Sequence, residues 1–313
     1  MSVVECALTK KISGESMHRR SFLVGSSGLL ITACVGPSVS LLASNKSERL
    51  GMSTVTFRDR FTQTKPAAIT LENELTLLSV PAYYRERFGV RNLEFWSNHF
   101  ESLDSTYLQE LRASIKAAGA QLVNIQVDAD YDLASTNEEE RQRSFKVARE
   151  WIDAAASLGS RAIRINPGRT NGSVEKSIAS MKEVNQHCKS KGLPLLTENH
   201  FGLEMDPDIH LRIIREAGPG NIHTLPDFGN YPGETMWKAL AKILPHAYLV
   251  SAKAVEFNAE MKHVSYDFDR CVQLAERLGF TGIYSVEQWS REKLQVDSEK
   301  VVDWMLERVR ANI

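Results

Sequence analysis

The pattern that most narrows the fold recurs four times in the second half of the chain: a short apolar run ends abruptly in an ionisable side chain. Leu195-Leu196-Thr197 runs into Glu198, Asn199 and His200, and Ile222 to Pro226 runs into Asp227. Leu249-Val250-Ser251-Ala252 runs into Lys253, and Ile283-Tyr284-Ser285-Val286 into Glu287. Apolar runs of this length are how strands of a parallel sheet read when helices cover both faces. Their C-terminal ends face the ligand crevice in such folds, where a charge is stable only if paired or ligated. Four strand ends therefore bring charges to one place.

The rest of the chain fits that frame. Apolar runs predict strands over 53–57, 92–96, 121–127 and 161–166, then over 193–198, 221–225, 247–252 and 282–287. Helical patterns fill the gaps. Thr136 with Glu139 predicts a capping box ahead of a face formed by Phe145, Ala148, Trp151, Ile152 and Ala155. Val174, Ile178, Met181, Val184 and Cys188 make a second face, and Asp206-Pro207 caps and starts a third helix. Eight strand-helix units over about 260 residues imply closure into a (β/α)8 TIM barrel, one domain over 53–313. An open doubly wound sheet would carry a glycine-rich turn after its first strand, and the sequence has none there.

Residues 1–45 read as an address. His18-Arg19-Arg20-Ser21-Phe22-Leu23 precedes an apolar stretch from Val24 to Thr32, which resembles a twin-arginine export signal. That stretch is too short to span a bilayer. Ile31-Thr32-Ala33-Cys34 fits a lipobox, which would make Cys34 a lipid anchor; ordinary cleavage near Ala43 is the alternative. Residues 46–52 read as a polar linker. The expected location is the periplasm, free or as a membrane-anchored lipoprotein. Cys6, Cys34, Cys188 and Cys271 show no CxxC spacing, and the last two fall on apolar helix faces as expected free thiols. A net charge of −1 over 313 residues offers no footprint for nucleic acid.

Several polar residues join the strand ends as site candidates. Asn199 and His200 sit on the rim with Glu198, Asn230 follows Asp227 in a Pro-Asp-Phe-Gly turn, and Trp289 can wall the pocket beyond Glu287. His99, Gln126, Asp128, Asn166 and His263 follow the second, third, third, fourth and seventh strands. An oxygen-rich set with at most one imidazole suits Mn²⁺, Mg²⁺ or Co²⁺ better than a closed Zn²⁺ site. Two carboxylates across such a metal can move a proton at the carbon beside a carbonyl: one abstracts it, the metal holds the enediolate oxygen, and the other returns it.

Taken in order, GVRNLEFW, LPLLTENHFG, HTLPDFGN, YLVSAKAVEF and YSVEQW resemble the xylose isomerase-like barrel superfamily, the sugar phosphate isomerase/epimerase group. The resemblance runs from about residue 53 to the C-terminus. It implies a divalent metal (Mn, Mg, Co or Zn) held by Glu198, Asp227, Glu287 and a histidine, with Glu198 and Glu287 also the catalytic acid/base pair. The chain departs from the family at strand seven, where His-x-Lys reads Ser251-Ala252-Lys253; His263 or His200 would then supply the imidazole. Substrate contacts are expected from Lys253, Asn199, His200, Asn230, Asn166, His99 and Trp289.

The implied activity is a metal-dependent isomerase or epimerase acting on a sugar or sugar derivative. A lyase or hydratase acting on a keto-sugar or glycoside starts from the same enolate and is an alternative. Another is an exported sugar-binding barrel without catalysis. Abasic-DNA endonucleases of the superfamily need many imidazole ligands and a basic groove, which eight histidines and a net charge of −1 do not provide. The expected partner is a small carbohydrate, with no nucleic acid, no membrane contact beyond the Cys34 anchor, and room for a homo-oligomer.

Overall fold

The computed structural model describes residues 46–68, 70–290 and 296–313; the export and lipobox readings lie outside them. Eight strands run parallel: β1 (Leu50–Ser53), β2 (Asn92–Trp96), β3 (Gln121–Gln126), β4 (Ile163–Arg164), β5 (Leu195–Glu198), β6 (Ile222–Leu225), β7 (Leu249–Ala254) and β8 (Ile283–Gln288). Their order is β6-β5-β4-β3-β2-β1-β8-β7. The remaining seam, between β6 and β7, is bridged at Thr224–Ala247 and Asp227–Ser251. There Tyr248 N donates to Thr224 O at 3.1 Å, and Ser251 N donates to Pro226 O at 3.0 Å. The sheet thus comes round on itself as the (β/α)8 TIM barrel that the alternation implied.

Eight helices of the described residues pack outside it: α1 (Val80–Phe88), α2 (Ser105–Ala117), α3 (Glu138–Leu158), α4 (Val174–Ser190), α5 (Pro207–Ala217), α6 (Thr235–Ile243), α7 (Phe268–Arg277) and α8 (Ser298–Asn312). Asp206 caps α5 as expected, its side chain accepting from the backbone N–H groups of Asp208 and Ile209. The capping-box reading of α3 is corrected by one residue. Asn137, not Thr136, accepts from Glu139 N and Glu140 N, satisfying two of the donors a helix start leaves free.

The first strand begins earlier than the sequence suggested. Leu50–Ser53 pairs with both β2 and β8, so residues 50–52 belong to the barrel and not to a linker. Gly51 disguised it: a Cβ there would lie 3.0 Å from Ile283 Cγ2, a tight contact, so the glycine lets β1 lie close against β8. Beyond Ser53 the chain turns into a 3₁₀ helix, Thr54–Arg60, because the Ser53 hydroxyl accepts from Val55 N.

Two apolar clusters hold the barrel. The larger lies between sheet and helices and includes the free, buried Cys188 and Cys271. The smaller is built from Val123, Ala162, Leu196, Leu225 and Leu249, all fully buried, with Ile283 packed against it. Side chains alternate along a strand, so Leu196, Leu225 and Leu249 share a face with Glu198, Asp227 and, through Ser251, Lys253. Each buried leucine contributes about 1.5–3 kcal/mol. This plug gives the charged strand ends a rigid floor.

Candidate active site

The strand ends surround a cavity of about 310 Å³, lined by Glu198, Lys253, Glu287 and Arg164 on its charged side. Lys253, near the end of β7, reaches across it: Nζ lies 3.3 Å from Asp227 Oδ2 and 3.3 Å from Glu287 Oε1. The ammonium also donates to Asn230 Oδ1 at 3.0 Å. Burial alone would lower its pKa, but Asp227, Glu287 and Glu198 together hold it above the ordinary lysine range. It stays protonated.

Each carboxylate is fixed by further donors. Asp227 Oδ1 accepts from Gly229 N at 2.6 Å, and Asp227 Oδ2 from Ser251 Oγ at 3.4 Å. Glu287 Oε2 accepts from Gln126 Nε2 at 3.0 Å, and Ser53 Oγ in turn donates to Gln126 Oε1 at 3.2 Å. Glu198 Oε1 accepts from Asn230 Nδ2 at 3.4 Å. Its Oε2 lies 2.9 Å from Arg164 Nε, an ion contact, but the N–H does not point at it and the oxygen has no hydrogen bond within the described residues. Burial pushes the Glu198 pKa well above the usual carboxylate range, with Asp227 and Glu287 adding to it against Arg164 and Lys253. Burial also raises Asp227, although Lys253 opposes it.

Arg164 was not anticipated. It projects from the two-residue β4, almost wholly buried, and Nη1 donates to Asp128 Oδ1 at 2.6 Å and to Val127 O at 2.9 Å. Trp96 Nε1 donates to the other Asp128 oxygen at 2.8 Å. Burial would raise the Asp128 pKa, but Arg164 and its other partners hold it below the ordinary value. Asp128 and Gln126, minor candidates by sequence, both line the cavity. The signal for Arg164 was a charge inside the apolar run Ile163-Arg164-Ile165, which requires a carboxylate nearby.

The remaining candidates divide. His200, Asn230 and Trp289 line the cavity. Burial and then Arg164 lower the His200 pKa to about 4, which leaves its imidazole neutral near pH 7. Trp289 stands at the rim with the Arg58 guanidinium 4.3 Å above its ring, and Trp96 meets it edge-on at 6.0 Å. Asn166 Oδ1 accepts from Glu198 N at 2.9 Å, and the Asn199 amide brackets the Asp227 backbone at 2.8 and 3.0 Å. These two amides brace the carboxylates; the substrate-binding reading of Asn199 is corrected, since its side chain is spent on that backbone.

Two histidines are also corrected. His263 accepts from Val255 N at 3.2 Å through Nε2, and its Nδ1 donates to Tyr266 O at 3.0 Å. With both ring nitrogens committed among Phe257, Tyr266 and Trp304, it ties the loop after β7 and offers no lone pair to a metal. His99 stacks on Phe61 at 3.6 Å and bonds Thr54 and Thr64 through its two nitrogens at 3.0 and 3.1 Å. It is packing behind Trp96, not a substrate ligand.

The donor set can be weighed against a divalent metal. Glu198, Asp227 and Glu287 supply the right atoms, but Lys253 stands between two of them and Arg164 against the third. Ser251 occupies the register position of the expected imidazole. Among the described residues no three His, Cys, Asp or Glu side chains converge so as to hold a metal ion. As folded, these residues do not fit the metal that the sequence implied. They hold two cations of their own.

No curated protein matches the chain by sequence. Solved structures do match in fold. An L-ribulose 3-epimerase is similar with a TM-score of 0.63 at 18% identity, over 84% of this chain and 96% of that one. A xylose isomerase-like TIM barrel protein from Mycobacterium smegmatis, in complex with magnesium, is similar with a TM-score of 0.59 at 15% identity, over 84% and 97%. A probable 3-DHS dehydratase from Bacillus anthracis is similar with a TM-score of 0.58 at 13% identity, over 83% and 97%. Residues 85–311 match the family model described as xylose isomerase-like TIM barrel, and the chain belongs to that family.

Proposed function

We propose that this protein is a sugar isomerase or epimerase that moves a proton at the carbon beside a carbonyl, with Glu198 and Glu287 as the acid/base pair. The observation that carries the reading is Glu198 Oε2: a buried carboxylate oxygen beside the cavity wall, without a hydrogen bond among the described residues. An oxygen so placed has a lone pair for a substrate proton, and a raised pKa brings its two charge states closer in energy near neutral pH. Glu287 reaches the same cavity from β8, held in place by Gln126 and Lys253. Asn230 and His200 suit sugar hydroxyls, and Trp289 with Trp96 offers an apolar wall for a sugar ring. The family's sugar-acting members, an L-ribulose 3-epimerase among the similar structures, support a carbohydrate substrate.

Elimination or hydration on a keto-sugar or glycoside begins with the same proton abstraction, and the dehydratase among the similar structures keeps that outcome in view. Incubation of the chain with ketoses, aldoses and keto-glycosides in D₂O, followed by NMR, separates the readings. Deuterium at the carbon beside the carbonyl with an inverted or isomerised sugar is the expected result, and an unsaturated sugar indicates elimination. Binding without exchange or turnover across the whole panel would leave a sugar-binding barrel instead. We also propose export, on the Arg19-Arg20 stretch alone. Cell fractionation should find the chain outside the cytoplasm, and retention of wild type there would refute it.

A further inference from the structure

A divalent ion bonds carboxylate oxygens at roughly 2.0–2.6 Å and tolerates no ammonium among its ligands. In this chain the space shared by Asp227 and Glu287 already holds one, since Lys253 Nζ lies 3.3 Å from an oxygen of each. The lysine is no surface residue that has wandered in. Its side chain is 7% exposed, its stem leans on Gly229, where a Cβ would stand 3.1 Å from Lys253 Cδ, and Asn230 Oδ1 accepts a hydrogen bond from its ammonium. Two residues earlier on the same face of β7, Ser251 gives its hydroxyl to Asp227 Oδ2 and provides no nitrogen ligand. Arg164 repeats the arrangement against Glu198. The other oxygens of Asp227 and Glu287 accept from Gly229 N and Gln126 Nε2.

We propose that Lys253 is the resident electrophile of this site and that the chain works without a metal ion. This rests on the proton-transfer reading above. One carboxylate of the pair takes the proton from the carbon beside the carbonyl. The C–H electron pair becomes the new C=C bond, and the carbonyl π pair moves onto oxygen. The Lys253 ammonium donates a hydrogen bond to that oxygen and keeps its own proton. The other carboxyl group, which enters the step protonated, returns its own proton to carbon. The electron flow reverses, a carbonyl is restored, and proton exchange with solvent resets the pair, with no oxidant or reductant consumed. A positive charge preorganised where negative charge develops needs no reorganisation at the moment of reaction.

The first part of the test needs no substrate. The purified chain is stripped with chelator, its metal content measured by mass spectrometry, and its melting temperature followed during titration with Mn²⁺, Mg²⁺, Co²⁺ and Zn²⁺. Wild type should carry far less than one equivalent and show no saturable shift. The double variant Ser251→His/Lys253→Met removes the ammonium and supplies the imidazole, so it should gain a saturable rise of at least about 4 °C with Mn²⁺. One equivalent of metal on wild type, lost in Asp227→Asn, would overturn the proposal. So would a folded double variant that ignores every ion, because Lys253 would then not be what excludes the metal. In the deuterium assay, chelator should leave the wild-type rate unchanged and Lys253→Met should lower it about 100-fold. A metal-free chain that exchanges no sugar proton would sink the proton-transfer reading and with it the electrophile role of Lys253, leaving the exclusion of metal standing. A metal-bound chain that does exchange would sink this proposal alone.

Discussion

Two neighbouring layers of the barrel interior surround a buried carboxylate with different partners. At the mouth, Glu198, Asp227 and Glu287 share their space with Arg164 and Lys253, and the group borders an open cavity. Beside it, Glu94 on β2 lies with Asn124 and Ser285, each two residues before a cavity-lining side chain of its own strand, Gln126 and Glu287. Asn124 Nδ2 donates to Glu94 Oε1 at 2.7 Å, while Oε2 has no hydrogen bond among the described residues. Burial pushes the Glu94 pKa up to about 7, since its nearest partners are an amide and a hydroxyl rather than a cation. The difference teaches what the mouth is for. A sealed carboxylate with neutral partners is most cheaply kept neutral, whereas three carboxylates sharing two cations beside a cavity can hold a proton among them and act on a ligand.

Breaking the mouth should have the largest effects. Glu198→Gln should lower the rate of deuterium exchange into sugar by 10²–10⁴-fold, on the order expected for loss of an acid/base group. Its urea midpoint at neutral pH should stay near wild type, because the amide resembles the protonated acid that burial favours. Lys253→Met leaves Asp227 and Glu287 without their shared cation, and urea unfolding should show a loss of about 3–5 kcal/mol.

Glu94→Gln sharpens the contrast from the other side. The folded-state pKa of Glu94 is raised from 4.5 to about 7, so folding takes up a proton between those values. The stability it contributes is therefore present below about pH 4.5 and lost as pH rises through 7, up to roughly 3 kcal/mol in all. Urea midpoints measured from pH 5 to 8 should fall in wild type and fall less in Glu94→Gln, which should be the more stable of the two at pH 8. Identical pH profiles would place the charge elsewhere. The smallest effect is expected at the rim. Trp289→Ala should raise KM by about 2–10-fold with kcat unchanged, as fits loss of one aromatic wall worth about 0.5–1.5 kcal/mol.

Much of this was legible in the sequence because it is local. An apolar run followed at once by Glu198, Asp227, Lys253 or Glu287 states both the strand and its charged end, and eight alternating strand-helix units state the barrel. What escaped depends on contacts made from far along the chain. Arg164 is intelligible only beside Asp128 and Glu198, and β1 only beside Ile283, which crowds position 51 and favours a glycine there. His99 and His263 look like ligands in one dimension. In three dimensions Thr54 and Thr64 occupy the nitrogens of the first, and Val255 and Tyr266 those of the second. Lys253 was placed correctly at a strand end, but its reach between two carboxylates needed β6, β7 and β8 together.

The most direct test of proton transfer at the mouth is NMR of sugar deuteration in D₂O, run side by side for wild type, Glu94→Gln and Glu198→Gln. Wild type and Glu94→Gln should label the carbon beside the carbonyl of a sugar in the panel, and Glu198→Gln should not. Labelling that survives in Glu198→Gln, or its absence from wild type with every sugar, would contradict the account.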